Sequence, residues 1–208
     1  MTILEAMDDT PYRVASDVMS GPEPEILADI HLRGVAASIW NRTCEPAFVD
    51  WIDGLPVESL PELRTTVPVH LAETAAIAAC EQAKIPSSSE RDILTGDIAA
   101  LAVMLSKTLN VRQMRIRLDV SDEMMCPKFH MDNVPARLLC TYRGPGTDYV
   151  PQEDLSEPSR IKSVKRGAVA LFRGSAWSGE ERTGLLHRSP AVDESVGARL
   201  LLVIDPID

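Results

Sequence analysis

The stretch Met125-Cys126-Pro127-Lys128-Phe129-His130-Met131-Asp132-Asn133 decides how the rest of the chain is read. His130 and Asp132 stand two residues apart, and Pro127 and Pro135 flank the pair. In extended backbone, side chains at i and i+2 leave the same face of the strand. An imidazole and a carboxylate then converge on one point, as two of the three ligands of a facial metal site. The run Leu185-Leu186-His187-Arg188-Ser189-Pro190 offers the third, His187.

The segments around this stretch have β character. Met114, Ile116, Leu118 and Val120 alternate with Arg115, Arg117 and Asp119, the period-two pattern of a half-buried strand. Residues 137–143 form another strand, ended by Gly144-Pro145-Gly146-Thr147, and 164–172, 185–187 and 199–204 supply more. Short strands punctuated by Gly and Pro point to a sandwich or barrel. Upstream the texture is helical. Pro46 opens and Gly54 stops a helix over 45–52. The alanine-rich stretch 71–84 has helical spacing, and Ser87-Ser88-Ser89 caps an apolar stripe of Ile93, Leu94, Ile98, Leu101 and Leu105. Residues 26–32 read as strand or short helix, and 35–40 as a buried strand.

This predicts an α+β protein with an extended arm over 1–25, a mainly helical support region over 26–110 and a β-barrel over 111–208. Residues 26–208 are expected to form one compact domain, with the helices layered on an outer face of the barrel.

Composition narrows the function. The 208 residues carry a formal charge of −10, spread along the chain, which argues against nucleic acid and anionic lipid as partners. No apolar run is long enough to span a bilayer, and no basic-then-apolar leader opens the sequence, so cytoplasm is the expected compartment. Cys44, Cys80, Cys126 and Cys140 form no CxxC pair and read as thiols. The substrate, small molecule or protein, and the oligomeric state stay open.

The pattern His130-x-Asp132, His187 and a downstream Arg199 resembles that of the non-haem iron(II)/2-oxoglutarate dioxygenases. Gly167-Ala168-Val169-Ala170-Leu171-Phe172-Arg173-Gly174 is similar to their strand before the second histidine. More closely, the run from Phe129 through 137–147 to His187-Arg188-Ser189-Pro190 resembles an uncharacterised bacterial family known only as a domain of unknown function. The remoter resemblance implies a cupin-type jelly roll, a double-stranded β-helix, in which His130, Asp132 and His187 hold iron(II). It also implies that Arg199 binds the distal carboxylate of 2-oxoglutarate, that Tyr142 adds a hydroxyl there, and that an unidentified substrate is hydroxylated. Arg188 is an alternative anion binder, although alternation turns it away from the face of His187.

Two other readings stay open. Cys126 with His130, Asp132 and His187 makes a four-ligand zinc set, which would suit a protein of metal homeostasis without oxygenase activity. A jelly roll that has lost its chemistry would be a non-catalytic binding module. Trp177, in a loop before His187, is a candidate for lining a substrate pocket.

Overall fold

Period-two alternation along the strands sets what each face of the molecule carries. The computed structural model describes residues 13–122, 126–191 and 197–207. Met125 of the central stretch and residues 1–12 of the expected arm lie outside the described residues. The chain begins with β1 (Arg13–Ala15) and β2 (Asp17–Gly21), followed by a 3-10 helix (Pro24–His31) and β3 (Val35–Trp40). Next come α1 (Pro46–Gly54), β4 (Leu63–Pro68), α2 (Ala72–Gln82) and α3 (Ser89–Leu109). The remainder is β5 (Gln113–Ser121), β6 (Ala136–Arg143), β7 (Asp148–Pro151), β8 (Lys162–Ser163), β9 (Val169–Arg173), β10 (Glu181–Thr183), β11 (Leu185–Arg188) and β12 (Arg199–Ile207).

A seven-stranded sheet runs β2-β3-β9-β6-β12-β5-β4, and a three-stranded sheet runs β11-β7-β8. In β5, Met114, Ile116 and Leu118 turn to one face of the large sheet, joined there by Leu138, Tyr142, Leu202 and Ile204. Phe48 and Ile52 of α1 and Leu94, Ile98, Leu101 and Leu105 of α3 complete that core. The other face carries Ile39, Leu139, Phe172 and Val203, which pack with Tyr149 and Leu185 of the small sheet in a second core. Helix α3 starts where Ser88 accepts a hydrogen bond from the Arg91 amide, 3.2 Å, and ends at Asn110 in the left-handed conformation.

The region N-terminal to 111 is less helical than the sequence suggests. β3 is the buried strand expected over 35–40, whereas β4 is a further strand that forms the edge of the large sheet beside β5. Thr65-Thr66-Val67 is a β-branched run, and pairing with the amphipathic β5 outweighs its helical neighbours. Residues 13–21, expected as arm, form β1 against β10 and β2 against β3, both parallel. No helix among the described residues is long and apolar enough to cross a membrane.

Candidate metal centre

Two backbone hydrogen bonds bring the histidines together. His130 donates its amide to the His187 carbonyl at 3.0 Å, and His187 returns the bond at 2.9 Å, an isolated antiparallel bridge between the central stretch and β11. Residues paired in this way project side chains to the same side of the ladder. The imidazole centroids are 4.8 Å apart, and Phe172 of β9 lies against His187 at 5.1 Å. Asp132, two residues on, joins them, and one potential ligand atom each from His130, Asp132 and His187 lies within 4.8 Å of the others.

The Asp132 backbone is anchored too. Its carbonyl accepts from the Ser175 amide at 2.9 Å, and Gly174 lets the chains approach. A Cβ on Gly174 would come within 2.0 Å of the Val134 carbonyl oxygen and 2.7 Å of that of Asp132.

The donor set could hold a cation. His130 Nδ1 lies 3.0 Å from the Lys128 carbonyl, an atom that only accepts, so Nδ1 carries the proton and Nε2 presents its lone pair to the cluster. Arg137 Nη1 holds Asp132 Oδ1 at 2.5 Å and forks Asp205 through Nε at 2.6 Å and Nη2 at 2.9 Å. Asp132 Oδ2 is 2.9 Å from His187 Nε2, yet it is buried and receives no well-aligned hydrogen bond. A buried carboxylate oxygen in that condition is costly unless something positive faces it. Burial would raise the Asp132 carboxyl, but His187, Arg137 and His130 outweigh it and hold the group below its ordinary value.

These side chains open on a cavity of about 100 Å³. Its floor is the inner face of the large sheet, with Leu139, Leu201 and Val203 between the cluster and Arg199. Arg199 donates to the Pro145 carbonyl at 2.9 Å and to the Thr141 and Thr147 hydroxyls at 3.1 and 3.0 Å. It is 9% exposed, and no carboxylate lies within ion-pair distance among the described residues. Burial pulls its pKa down to about 10, against the partial support of Asp119 and Asp148.

The remaining candidates stand elsewhere. Tyr142 shares its face of β6 with Leu138 and Cys140 and donates to Asp97 at 2.7 Å in the core against the helices, so its hydroxyl cannot reach a ligand beside Arg199. Cys126 is exposed at the cavity rim and outside the three-residue cluster, so the four-ligand set is not assembled. Arg188 pairs with Asp148 at 3.2 Å and covers the Phe129 ring. Trp177 packs against Arg173 and His31 and does not line this cavity. Arg137, Thr141 and Thr147 escaped the sequence reading. Strand alternation with Leu139 was a signal for the first two, whereas Thr147 follows a Gly-Pro-Gly turn whose path spacing does not reveal.

Solved structures share the fold. One is the dioxygenase for auxin oxidation 1 from Arabidopsis thaliana in complex with 2-oxoglutarate, at 10% identity over 91% of each chain and a TM-score of 0.56. Another is the dioxygenase for auxin oxidation in rice, at 14% identity over 91% of this chain and 82% of that one, with a TM-score of 0.50. At such identities the likeness is one of fold. No curated protein matches the chain. A family described as "Protein of unknown function (DUF1826)" matches residues 21–205, and the chain belongs to that family.

Proposed function

We propose that this chain is an iron(II)- and 2-oxoglutarate-dependent oxygenase, that its two facing sheets form a jelly roll, and that His130, Asp132 and His187 hold the metal. The observation that carries this reading is the convergence of His130, Asp132 and His187, with one potential ligand atom from each within 4.8 Å of the others and Asp132 Oδ2 buried beside the imidazoles. Two neutral imidazoles and one carboxylate leave a divalent ion with net positive charge, which suits an anionic chelating co-substrate. Iron(II) bound there would supply the redox chemistry that couples oxidation of a 2-oxo acid by dioxygen to hydroxylation of a substrate.

The chain's own residues do the rest. With His187, Arg137 keeps the Asp132 carboxylate ionised, and its hold on Oδ1 turns Oδ2 toward the imidazoles. The Lys128 carbonyl fixes the His130 tautomer. Arg199, buried and without a carboxylate partner among the described residues, takes the distal carboxylate of 2-oxoglutarate, and the Thr141 and Thr147 hydroxyls hold the guanidinium in place. Leu139, Leu201 and Val203 offer an apolar floor to the methylenes and exclude water. Arg199 in the cavity and His187 facing His130 also speak against a module that has lost its chemistry.

The zinc reading rested on Cys126, which the cluster does not include. A decisive experiment is anaerobic calorimetry of 2-oxoglutarate with iron(II)-loaded protein. Metal-dependent binding that Arg199→Met abolishes supports the assignment. Binding indifferent to both metal and Arg199 would sink it.

A further inference from the structure

The inner face of the large sheet continues past the metal centre. Its second cavity, about 500 Å³ and open, is lined by Arg64, Arg115, Arg117, Arg137, Asp205 and threonines of β4. Arg117 and Arg137 line the metal cavity as well, so the two spaces adjoin across these side chains. Strand register explains the cluster. Arg64 stands directly opposite Arg117, and Arg115 lies between Thr66 on one side and Asp205 on the other. Like charges directly opposite on neighbouring strands destabilise a sheet, and here they gather on a chain whose net charge is −10.

The carboxylates nearby neutralise this group only in part. Arg137 occupies both oxygens of Asp205. Asp119 holds Arg117 at 3.0 Å, and its contact with the largely exposed Arg64 stretches to 3.8 Å. The Arg115 side chain makes no ion pair or hydrogen bond among the described residues. A local arrangement that works against sheet stability, with Asp119 alone shared between Arg117 and Arg64, points to a functional surface.

We propose that Arg64, Arg115 and Arg117 anchor an oxyanion, phosphate or carboxylate, carried by a small-molecule substrate whose reacting end lies at the metal centre. This deepens the oxygenase reading and rests on it. The co-substrate does not serve as this anion. Arg199 pairs with Ser121 and Asp205 with Arg115, so the two arginines are six residues apart along β5, or about 20 Å at roughly 3.3 Å per residue. Arg117 is nearer, four residues or about 13 Å along the strand, but a five-carbon diacid with one end at Arg199 and the other at the metal centre does not reach Arg115. The cavity is also too small for a nucleic-acid strand, and four arginines on an acidic protein fall short of the extended basic surface such a strand needs.

The test is calorimetric titration of inorganic phosphate and, separately, malonate into the full-length chain. It is run on wild type and on Arg199→Met, in which the co-substrate corner cannot hold an anion. Both backgrounds should bind one of the two probes equally. Arg64→Gln with Arg115→Gln should weaken that binding by about tenfold or more, as expected for losing charge-assisted contacts. Both side chains are exposed, so the double variant keeps its fold, and Arg160→Gln, on an exposed arginine elsewhere, should leave binding unchanged. Preference for phosphate or for malonate identifies the group the substrate carries. Binding of neither probe, or binding that survives the double variant, overturns the proposal. Arginine-dependent binding of a single-stranded oligonucleotide with both small anions inert would overturn it too. If 2-oxoglutarate binding proves independent of Arg199, the oxygenase assignment fails while the phosphate result remains readable.

Discussion

Replacing Arg199 with Met should barely change the stability of the ligand-free protein while abolishing its response to 2-oxoglutarate. The guanidinium is buried, and the fall of its pKa from 12.5 to about 10 corresponds to roughly 3 kcal/mol against the charged form. Met removes that penalty and fills much of the space of the stem. It also gives up three hydrogen bonds to neutral acceptors, about 1 kcal/mol each. The two effects nearly cancel, so urea denaturation should place the variant within about 1 kcal/mol of wild type. An arginine holding a buried carboxylate would instead cost about 3–5 kcal/mol on removal. With ligand at a hundred times its Kd, wild type should gain about 2.7 kcal/mol and the variant nothing. The sign with pH follows from the folded value lying below the unfolded one. Between about pH 10 and 12.5 the unfolded chain binds the extra proton, so wild type gains stability relative to the variant as pH rises through that window. A variant destabilised by several kcal/mol, or still stabilised by 2-oxoglutarate, would refute the reasoning.

Arg137→Met should destabilise the protein by about 3 kcal/mol in denaturant titrations, because Asp205, 2% exposed, is left buried without its partner. The same change should weaken metal binding about tenfold through Asp132, whereas unchanged affinity would show that Arg137 does not orient the carboxylate. Gly174→Ala puts a methyl group against two carbonyl oxygens, so metal titration should show about tenfold or greater loss even in the folded fraction. Wild-type affinity there would mean that the Asp132 loop yields freely. Tyr142→Phe should cost about 1.5–3 kcal/mol through its lost bond to the Asp97 carboxylate and leave 2-oxoglutarate affinity intact, and a drop in that affinity would return Tyr142 to the site.

The convergence of His130, Asp132 and His187 was legible in the sequence because each of its parts is local or periodic. His130 and Asp132 are two residues apart in extended backbone, and His187 sits in a short apolar strand, so convergence needs only that the two segments pair. Alternation in β6 also separates Tyr142, which shares a face with Leu138 and Cys140, from Thr141, which faces Arg199. The resemblance that put Tyr142 beside the co-substrate worked against that pattern. β4 was hidden because a six-residue edge strand lies between helical segments, and its pairing with β5 is a tertiary fact. The arginine groove was invisible for the same reason. Arg115 and Arg117 read as a solvated strand face until register set Arg64 opposite them.

The central claim is that His130, Asp132 and His187 form one metal centre, and the iron(II) content of anaerobically reconstituted protein tests it most directly. Wild type should hold close to one iron(II) per chain, while His187→Ala and Asp132→Asn hold almost none and stay folded. Wild type without stoichiometric metal, or variants that retain it, would contradict the account.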